Sequence, residues 1–425
     1  MKFLFAHQNF PGQYLHIVRY LHAHGHDVRF ITQRRDREVP GVPTLEYLPL
    51  PVGTGVHPYL IDLEANMMNG LAVARLCEGL KRDGFTPDIV IGHTGWGELL
   101  FVKDVWPDVP FLGYFEFFYR LSGSDLNFDP EFPAVAEDAL RIRMRNATNL
   151  LSLNAADWGH TPTKWQRDQY PEEFRQRISV IHEGVDTTHV RPDATAQLWL
   201  RGGLVLSRQY QVVTYSARNL EPYRGFHVFM RALPELLRRC PEAHVVIIGG
   251  DAISYGRPPP QGCWREYMLA ELGGDLDLSR VHFVGWLPYE QYLAVLRISS
   301  AHVYLTYPFV LSWGLIEAMA AGCLVVASKT PPVEEVIDGR ENGYLVDFFD
   351  RDALVDRLCA VLGDQRGTEP MRQTARRCAI EQFDLNTVTL REHFALIHRL
   401  SGIDPAPRSR QRRGSAARPA LAAAR

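Results

Sequence analysis

The chain has 425 residues, of which 46% are hydrophobic, 22% charged and 11% aromatic; 46 Lys and Arg stand against 49 Asp and Glu, for a formal net charge of -3. This composition excludes a disordered chain, a collagen, a coiled coil and a disulfide scaffold, and its near-neutral balance leaves no general footprint for nucleic acid. At ~100–200 residues per domain, the length predicts two domains.

In chain order, residues 2–6 read as a buried strand, 13–22 as a helix and 27–31 as a second strand. Residues 58–82 carry a long helical period. Strands follow at 88–92 and 110–114, a helix at 133–147, and strands at 149–153 and 178–181. Residues 186–203 contain Pro192 and lack strong periodicity, which marks a linker. The alternation then restarts, with strands at 211–216, 244–248, 281–284, 301–306, 324–327 and 343–346. A helix at 225–239 lies among them, and 350–362, 370–382 and 385–400 read as terminal helices. Short apolar strands alternating with helices of 10–15 residues specify parallel α/β layers. The fold class expected is α/β, with two Rossmann-like parallel-sheet domains over 1–190 and 191–384 facing across a cleft. The Arg- and Ala-rich tail over 402–425 has too little apolar content to order itself.

The six cysteines, Cys77, Cys240, Cys263, Cys323, Cys359 and Cys378, form no C-x-x-C pair, and no His cluster has zinc spacing. They read as buried free thiols of a reducing compartment, and no metal site is expected. No uncharged apolar stretch reaches the ~18 residues of a spanning helix, and the N-terminus is too short in apolar length for a signal peptide. A cytoplasmic protein is expected. Peripheral contact with the inner membrane stays open, through the tail or the helix bearing Arg141, Arg143 and Arg145, each of which also reads as an ordinary solvated surface.

Ligands of open α/β sheets bind beyond the carboxyl ends of the strands, so the residues there are the candidates. After the first strand, His7-Gln8-Asn9-Phe10-Pro11-Gly12-Gln13 leads through a Pro-Gly turn into a helix, whose first N–H groups suit an anion; a plain turn is the other reading. His93-Thr94-Gly95-Trp96-Gly97 brings a Gly-x-Gly at which backbone can approach a ligand, without the third glycine of a dinucleotide fingerprint. His93 either enters the cleft or is bonded within its own loop. Phe115-Glu116-Phe117-Phe118-Tyr119 sets one carboxylate among aromatics, where burial would raise its pKa and suit acid–base or hydroxyl-binding work. Glu116 equally reads as a helix cap or a partner of Arg120.

In the second half, Ser216-Ala217-Arg218 ends one strand and Arg224-Gly225 opens the next helix, two cations placed to bracket a diphosphate. Gly249-Gly250-Asp251 ends the following strand. The strongest signal is Ser312-Trp313-Gly314-Leu315-Ile316-Glu317-Ala318-Met319-Ala320-Ala321-Gly322. Ser312 and Gly314 feed a helix whose dipole favours a phosphate or sugar oxygen. Glu317, one turn in, can accept two hydrogen bonds from a vicinal diol such as ribose, or serve only as a dipole-favourable glutamate.

The phrase from Trp313 to Ser328 resembles the donor-site signature of retaining glycosyltransferase family 4, G-L-x-x-x-E-A-M-A-x-G-x-P-V-V-A. Arg218 with Arg224-Gly225 resembles that family's R-…-K-G pair, Val281-His282-Phe283-Val284-Gly285-Trp286-Leu287-Pro288 its strand and loop beside the nucleobase, and His182-Glu183-Gly184-Val185-Asp186 its N-G-V-D element. The resemblance covers about residues 1–400 and implies the GT-B architecture, with the helix over 385–401 crossing back to the N-terminal domain. One departure stands out: the first glutamate of the family's E-x7-E pair is Phe309 here.

The resemblance implies transfer of a sugar from a nucleotide diphosphate sugar to a hydroxyl acceptor, with retention at the anomeric carbon and without metal or cofactor. The acceptor it implies is a polysaccharide or lipid-linked glycan precursor. Catalytic roles fall to Arg218 and Arg224 on the departing diphosphate, Glu317 on the ribose and His93 on the transferred sugar. Gly12, Gly95, Ser216, Gly250, Asp251, Val284, Ser312, Trp313, Gly314 and Leu315 form the donor-binding set, and Glu116 and Tyr119 the acceptor side. The alternatives are a nucleotide-sugar epimerase, which needs no acceptor; a phosphorylase, which needs a pyridoxal-binding lysine where Lys329 is the only one after residue 164; and a non-catalytic nucleotide-sugar or glycan binder, for which Phe309 argues.

Overall fold

The computed structural model describes residues 1–34 and 36–406. The expected tail therefore lies, from residue 407 onward, outside the described residues. Among the described residues the chain divides into two compact units, the first built from Met1–Gly184 with the segment 385–406, the second from Val185–Asp384.

The first unit holds seven strands: β1 (Lys2–Ala6), β2 (Asp27–Thr32), β3 (Thr44–Glu46), β4 (Ile89–His93), β5 (Phe111–Tyr114), β6 (Trp158–Thr161) and β7 (Ile178–Val180). They form one parallel sheet in the order β3-β2-β1-β4-β5-β6-β7. Both faces are buried, which is why the strands read as continuous apolar runs. Period-two alternation sends Phe3 and Phe5 to one face, where they meet Phe30, Phe394 and Ile397, and Leu4 and Ala6 to the other, with Val73, Leu80 and Trp106. The final helix, Leu390–Ser401, is thus part of this unit's core.

The second unit begins with the antiparallel hairpin β8 (Gln197–Trp199) and β9 (Val205–Ser207). Six parallel strands follow: β10 (Gln211–Asn219), β11 (Ala243–Gly250), β12 (Val281–Gly285), β13 (Ala301–Tyr304), β14 (Val325–Ser328) and β15 (Tyr344–Val346), in the order β12-β11-β10-β13-β14-β15. Each sheet reverses its strand order once, at β1/β4 and at β10/β13, and such switch points are where doubly wound sheets open a crevice.

Four readings of the sequence need correction. Residues 149–153 are not a strand; they lie in the helix Ala147–Ala155, which follows a separate helix Ala136–Arg145. The stretch 186–203 is not bare linker, since it contains β8, paired with β9 across a Gly202-Gly203 turn whose two glycines have φ of 90° and 89°. Short strands β3 and β6 join the first sheet where no strand was expected. Residues 385–400 are not a single α-helix: Leu385–Thr389 forms a π turn before the α-helix starts. Cys77, Cys240 and Cys323 are buried, whereas Cys263, Cys359 and Cys378 are half-buried; all are free thiols. Among the described residues no helix is long and apolar enough to cross a membrane.

Candidate functional site

The switch point of the first unit gathers three loops around one carboxylate. His7 follows β1, and its Nδ1 accepts the N–H of Asn9 at 2.8 Å. That nitrogen is therefore unprotonated, and the proton sits on Nε2, which donates to Gln13 Oε1 at 2.7 Å. Gln13 Nε2 in turn donates to Glu116 Oε1 at 3.0 Å. From the end of β4, His93 repeats the device: Nδ1 accepts the N–H of Gly95 at 3.0 Å, and Nε2 donates to Glu116 Oε2 at 3.3 Å. Both oxygens of Glu116 are thus engaged, Oε1 by the Gln13 amide that His7 orients and Oε2 by an imidazole whose tautomer the backbone sets, while 26% of its side chain stays exposed. The ring of His93 stacks on Trp96 at 4.0 Å.

This geometry revises three expectations. His93 does not project into open space: its side chain is 3% exposed and both nitrogens are engaged, so it positions Glu116. Gly12 and Gly95 leave room for imidazoles. A Cβ on Gly12, which has φ of 54°, would lie 2.7 Å from His7 Nε2, and one on Gly95 would lie 2.8 Å from His93 Cε1. Glu116 does not pair with Arg120, whose guanidinium caps the carbonyls of Gln169 and Asp168. Tyr119 lies under Arg145, whose guanidinium is 4.0 Å from its ring and donates to its hydroxyl at 3.0 Å. Nearby, Glu98 is buried, accepts the Tyr47 hydroxyl at 2.9 Å, and has its pKa raised by desolvation.

At the switch point of the second unit the character is cationic. Arg218 is exposed, and among the described residues no carboxylate pairs with its guanidinium; its carbonyl accepts the indole N–H of Trp286 at 2.9 Å. Arg224 is held from behind, donating to Thr306 Oγ1 at 2.8 Å and to the Val310 carbonyl at 3.0 Å. Glu221 is buried and accepts the N–H groups of Tyr255 at 2.8 Å and Ser254 at 3.2 Å, which ties the loop after β11 to the loop after β10. Desolvation pushes its pKa up to about 7.

Gly314 sits in the first turn of the helix Trp313–Ala320, and a Cβ there would lie 3.3 Å from the Tyr292 hydroxyl, 3.6 Å from Ser312 Oγ and 3.8 Å from Ser216 Oγ. Three hydroxyls therefore converge beside the N–H groups of a helix start, which have no acceptor in their own helix. Glu317, one turn on, is 3% exposed and accepts the Tyr289 hydroxyl at 2.7 Å. Gly250 faces Trp286 and Asn219, Val284 is half-buried, and Asp251 is ion-paired with Arg265 at 2.7 Å. Leu315 is fully buried in the core, so only its backbone is placed for a ligand.

Phe309 is 7% exposed and belongs to an aromatic cluster, edge-on to Tyr255 at 4.8 Å and to Tyr223 at 5.4 Å. The Arg224 guanidinium lies 5.8 Å from its ring. The residue that replaces a glutamate thus builds an apolar wall beside a cation.

A model of the glycosyl transferase family 4 group matches residues 24–190, and a model of the group 1 glycosyl transferases matches residues 205–378. A GDP-mannose-dependent alpha-(1-6)-phosphatidylinositol monomannoside mannosyltransferase from Mycolicibacterium smegmatis is 28% identical over 246 residues, covering 55% of this chain and 60% of that relative's length. A sucrose-phosphate synthase from Thermosynechococcus elongatus superposes with a TM-score of 0.71 at 18% identity, over 95% of this chain and all of that one (100%). HepE of Anabaena, in complex with UDP-glucose, superposes with a TM-score of 0.65 at 16% identity, over 93% of this chain and 99% of that one.

Proposed function

The chain belongs to the group 1 glycosyltransferases, and from that premise we propose that it transfers a glycosyl residue from a nucleoside diphosphate sugar to a hydroxyl acceptor, with retention at the anomeric carbon. The observation that carries the proposal is the pair Arg218 and Arg224 at the β10/β13 switch point, one exposed and, among the described residues, without a carboxylate partner, the other held from behind. Such a pair suits a group that arrives as a diphosphate and gains charge as it departs.

In this reading the second unit takes the donor. Backbone N–H groups at the start of Trp313–Ala320 and the hydroxyls of Ser216 and Ser312 meet the phosphates, the two guanidiniums stabilise the leaving diphosphate, and Glu317 accepts from the ribose diol. The first unit takes the acceptor. Glu116 accepts a hydrogen bond from the attacking hydroxyl and so raises the electron density on its oxygen. The hydroxyl attacks the anomeric carbon from the face the diphosphate leaves; the bond to the diphosphate breaks as the new glycosidic bond forms, and the hydroxyl proton passes to the leaving phosphate. The curated relative named above is GDP-mannose-dependent and the HepE complex contains UDP-glucose, and both facts support a nucleoside diphosphate sugar as donor. The name of that relative also supports a lipid-linked glycan as acceptor. Contact at the inner membrane fits the exposed Leu140 on the helix that carries Arg141, Arg143 and Arg145, and the exposed Leu150 and Leu151 on the helix that follows it.

Thermal-shift titration with a panel of nucleosides, nucleoside diphosphates and their sugars tests the donor site. One class of nucleoside diphosphate should raise the melting temperature of the wild type, and Arg218→Ala and Glu317→Gln should weaken that response. A protein that responds to none of them is not a nucleotide-sugar enzyme.

A further inference from the structure

Two of the six thiols lie against each other. The Sγ atoms of Cys240 and Cys359 are 3.1 Å apart, although 119 positions separate them in sequence. Cys240 ends the helix Phe226–Arg239, and Cys359 lies inside the helix Arg351–Gly363. Packing holds both backbones. The N–H of Cys240 bonds to the Leu236 carbonyl at 2.8 Å. Arg280 donates to the carbonyls of Cys240 and Leu237 at 3.2 and 3.1 Å. One residue before Cys240, Arg239 pairs with Asp356 of the other helix at 2.6 Å. Among the described residues no other two sulfurs come within hydrogen-bonding distance; Cys323, for example, directs its thiol to the Leu296 carbonyl.

We propose that Cys240 and Cys359 form an oxidisable dithiol that closes to a disulfide without rearranging the second unit. Closure shortens the sulfur separation by only ~1 Å, to the ~2.05 Å of the bond. The oxidant is a small-molecule disulfide. Cys359 is the more accessible thiol, so its thiolate attacks one sulfur of the oxidant and expels the other as a thiolate. The sulfur of Cys240 then displaces the remaining half of the oxidant from Cys359. The balance is two protein thiols and one small disulfide giving one protein disulfide and two small thiols. Burial pushes the Cys240 thiol up to about 12, which assigns it the second step rather than the first. The helix that Cys240 ends begins directly after Arg224 and Gly225, so the modification anchors the far end of the element that carries a donor-site cation.

Full-length protein is incubated with oxidised glutathione, trapped with iodoacetamide, and read by intact mass and peptide mapping. A loss of two hydrogens with a Cys240–Cys359 linked peptide is expected, absent in Cys240→Ser and Cys359→Ser. The melting temperature of the oxidised protein should rise and return on addition of dithiothreitol, because the bond closes a long loop of the unfolded chain. Glutathione adducts without the linked peptide, a link between other cysteines, or a melting temperature that falls on oxidation would each overturn the proposal. Cys77→Ser should leave the linked peptide unchanged.

Discussion

The two switch points solve opposite electrostatic problems. In the first unit, both oxygens of Glu116 are answered by the chain itself: Gln13 and His93 donate to them, His7 donates to Gln13, and the backbone at Asn9 and Gly95 sets the tautomers of the two imidazoles. In the second, among the described residues no carboxylate pairs with Arg218, and Arg224 is braced by a hydroxyl, a carbonyl and the faces of aromatic rings. In the proposed reaction, a closed network fixes one side chain for work on a neutral hydroxyl. An open cationic site leaves its charge to be answered by a ligand that brings its own. The difference predicts that substitutions in the second unit act on charge, and those in the first on geometry.

The largest effect is expected for Arg224→Ala, which should lower kcat by about 10²–10³ as a lost donor to the leaving group does. Arg224→Lys should recover only part, because one ammonium cannot hold Thr306, Val310 and a phosphate in the same fork. Steady-state transfer rates check both. Glu116→Gln should lower kcat by about tenfold to a hundredfold while nucleotide-induced thermal shifts stay at the wild-type value; a fall in nucleotide binding would erase the division of labour. Gly12→Ala forces a Cβ onto His7 at φ of 54° and should cost about 1–3 kcal/mol of stability in denaturant titration.

The smallest effect concerns pH. Glu221 has its pKa raised to about 7, so between about pH 4.5 and 7 the folded state holds a proton that the unfolded state has released. Stability therefore falls as pH rises through that window, and Glu221→Gln should flatten the decline, as melting curves at pH 5 and 7.5 would register.

Much of this was legible in the sequence because buried parallel strands announce themselves. Runs such as Phe3-Leu4-Phe5 and Val245-Val246-Ile247-Ile248 have no other comfortable place. Asn149-Leu150-Leu151-Ser152-Leu153 misled for the same reason: a short apolar run carries no period that separates strand from helix. Strand β6, Trp158-Gly159-His160-Thr161, has no aliphatic residue to betray it, and its place in the sheet comes from its neighbours β5 and β7. At the candidate site, Arg218, Arg224 and the helix start after Ser312 could be read from position relative to strands. The network on Glu116 could not. His7, Gln13, His93 and Glu116 come from three loops, and which of them touch is settled only when β1, β4 and β5 lie side by side. Phe309 was conspicuous as a departure, but its packing on Tyr223 and Tyr255 required the fold.

The route of the chain sets an order of events during synthesis. Val185 and Asp384 form a β-bridge, Val185 donates to the Phe383 carbonyl at 2.9 Å, and Thr187 bonds Asp384 at 2.6 Å. The second unit is therefore an insertion of about 200 residues whose ends meet, while Leu390, Phe394 and Ile397 belong to the core of the first. At ~5–20 residues per second on the ribosome, the N-terminal sheet waits about 10–40 s with part of one face of its core uncovered, the part that Leu390, Phe394 and Ile397 fill. The insertion can complete itself in that interval from contiguous sequence, and the portion made first is the portion finished last.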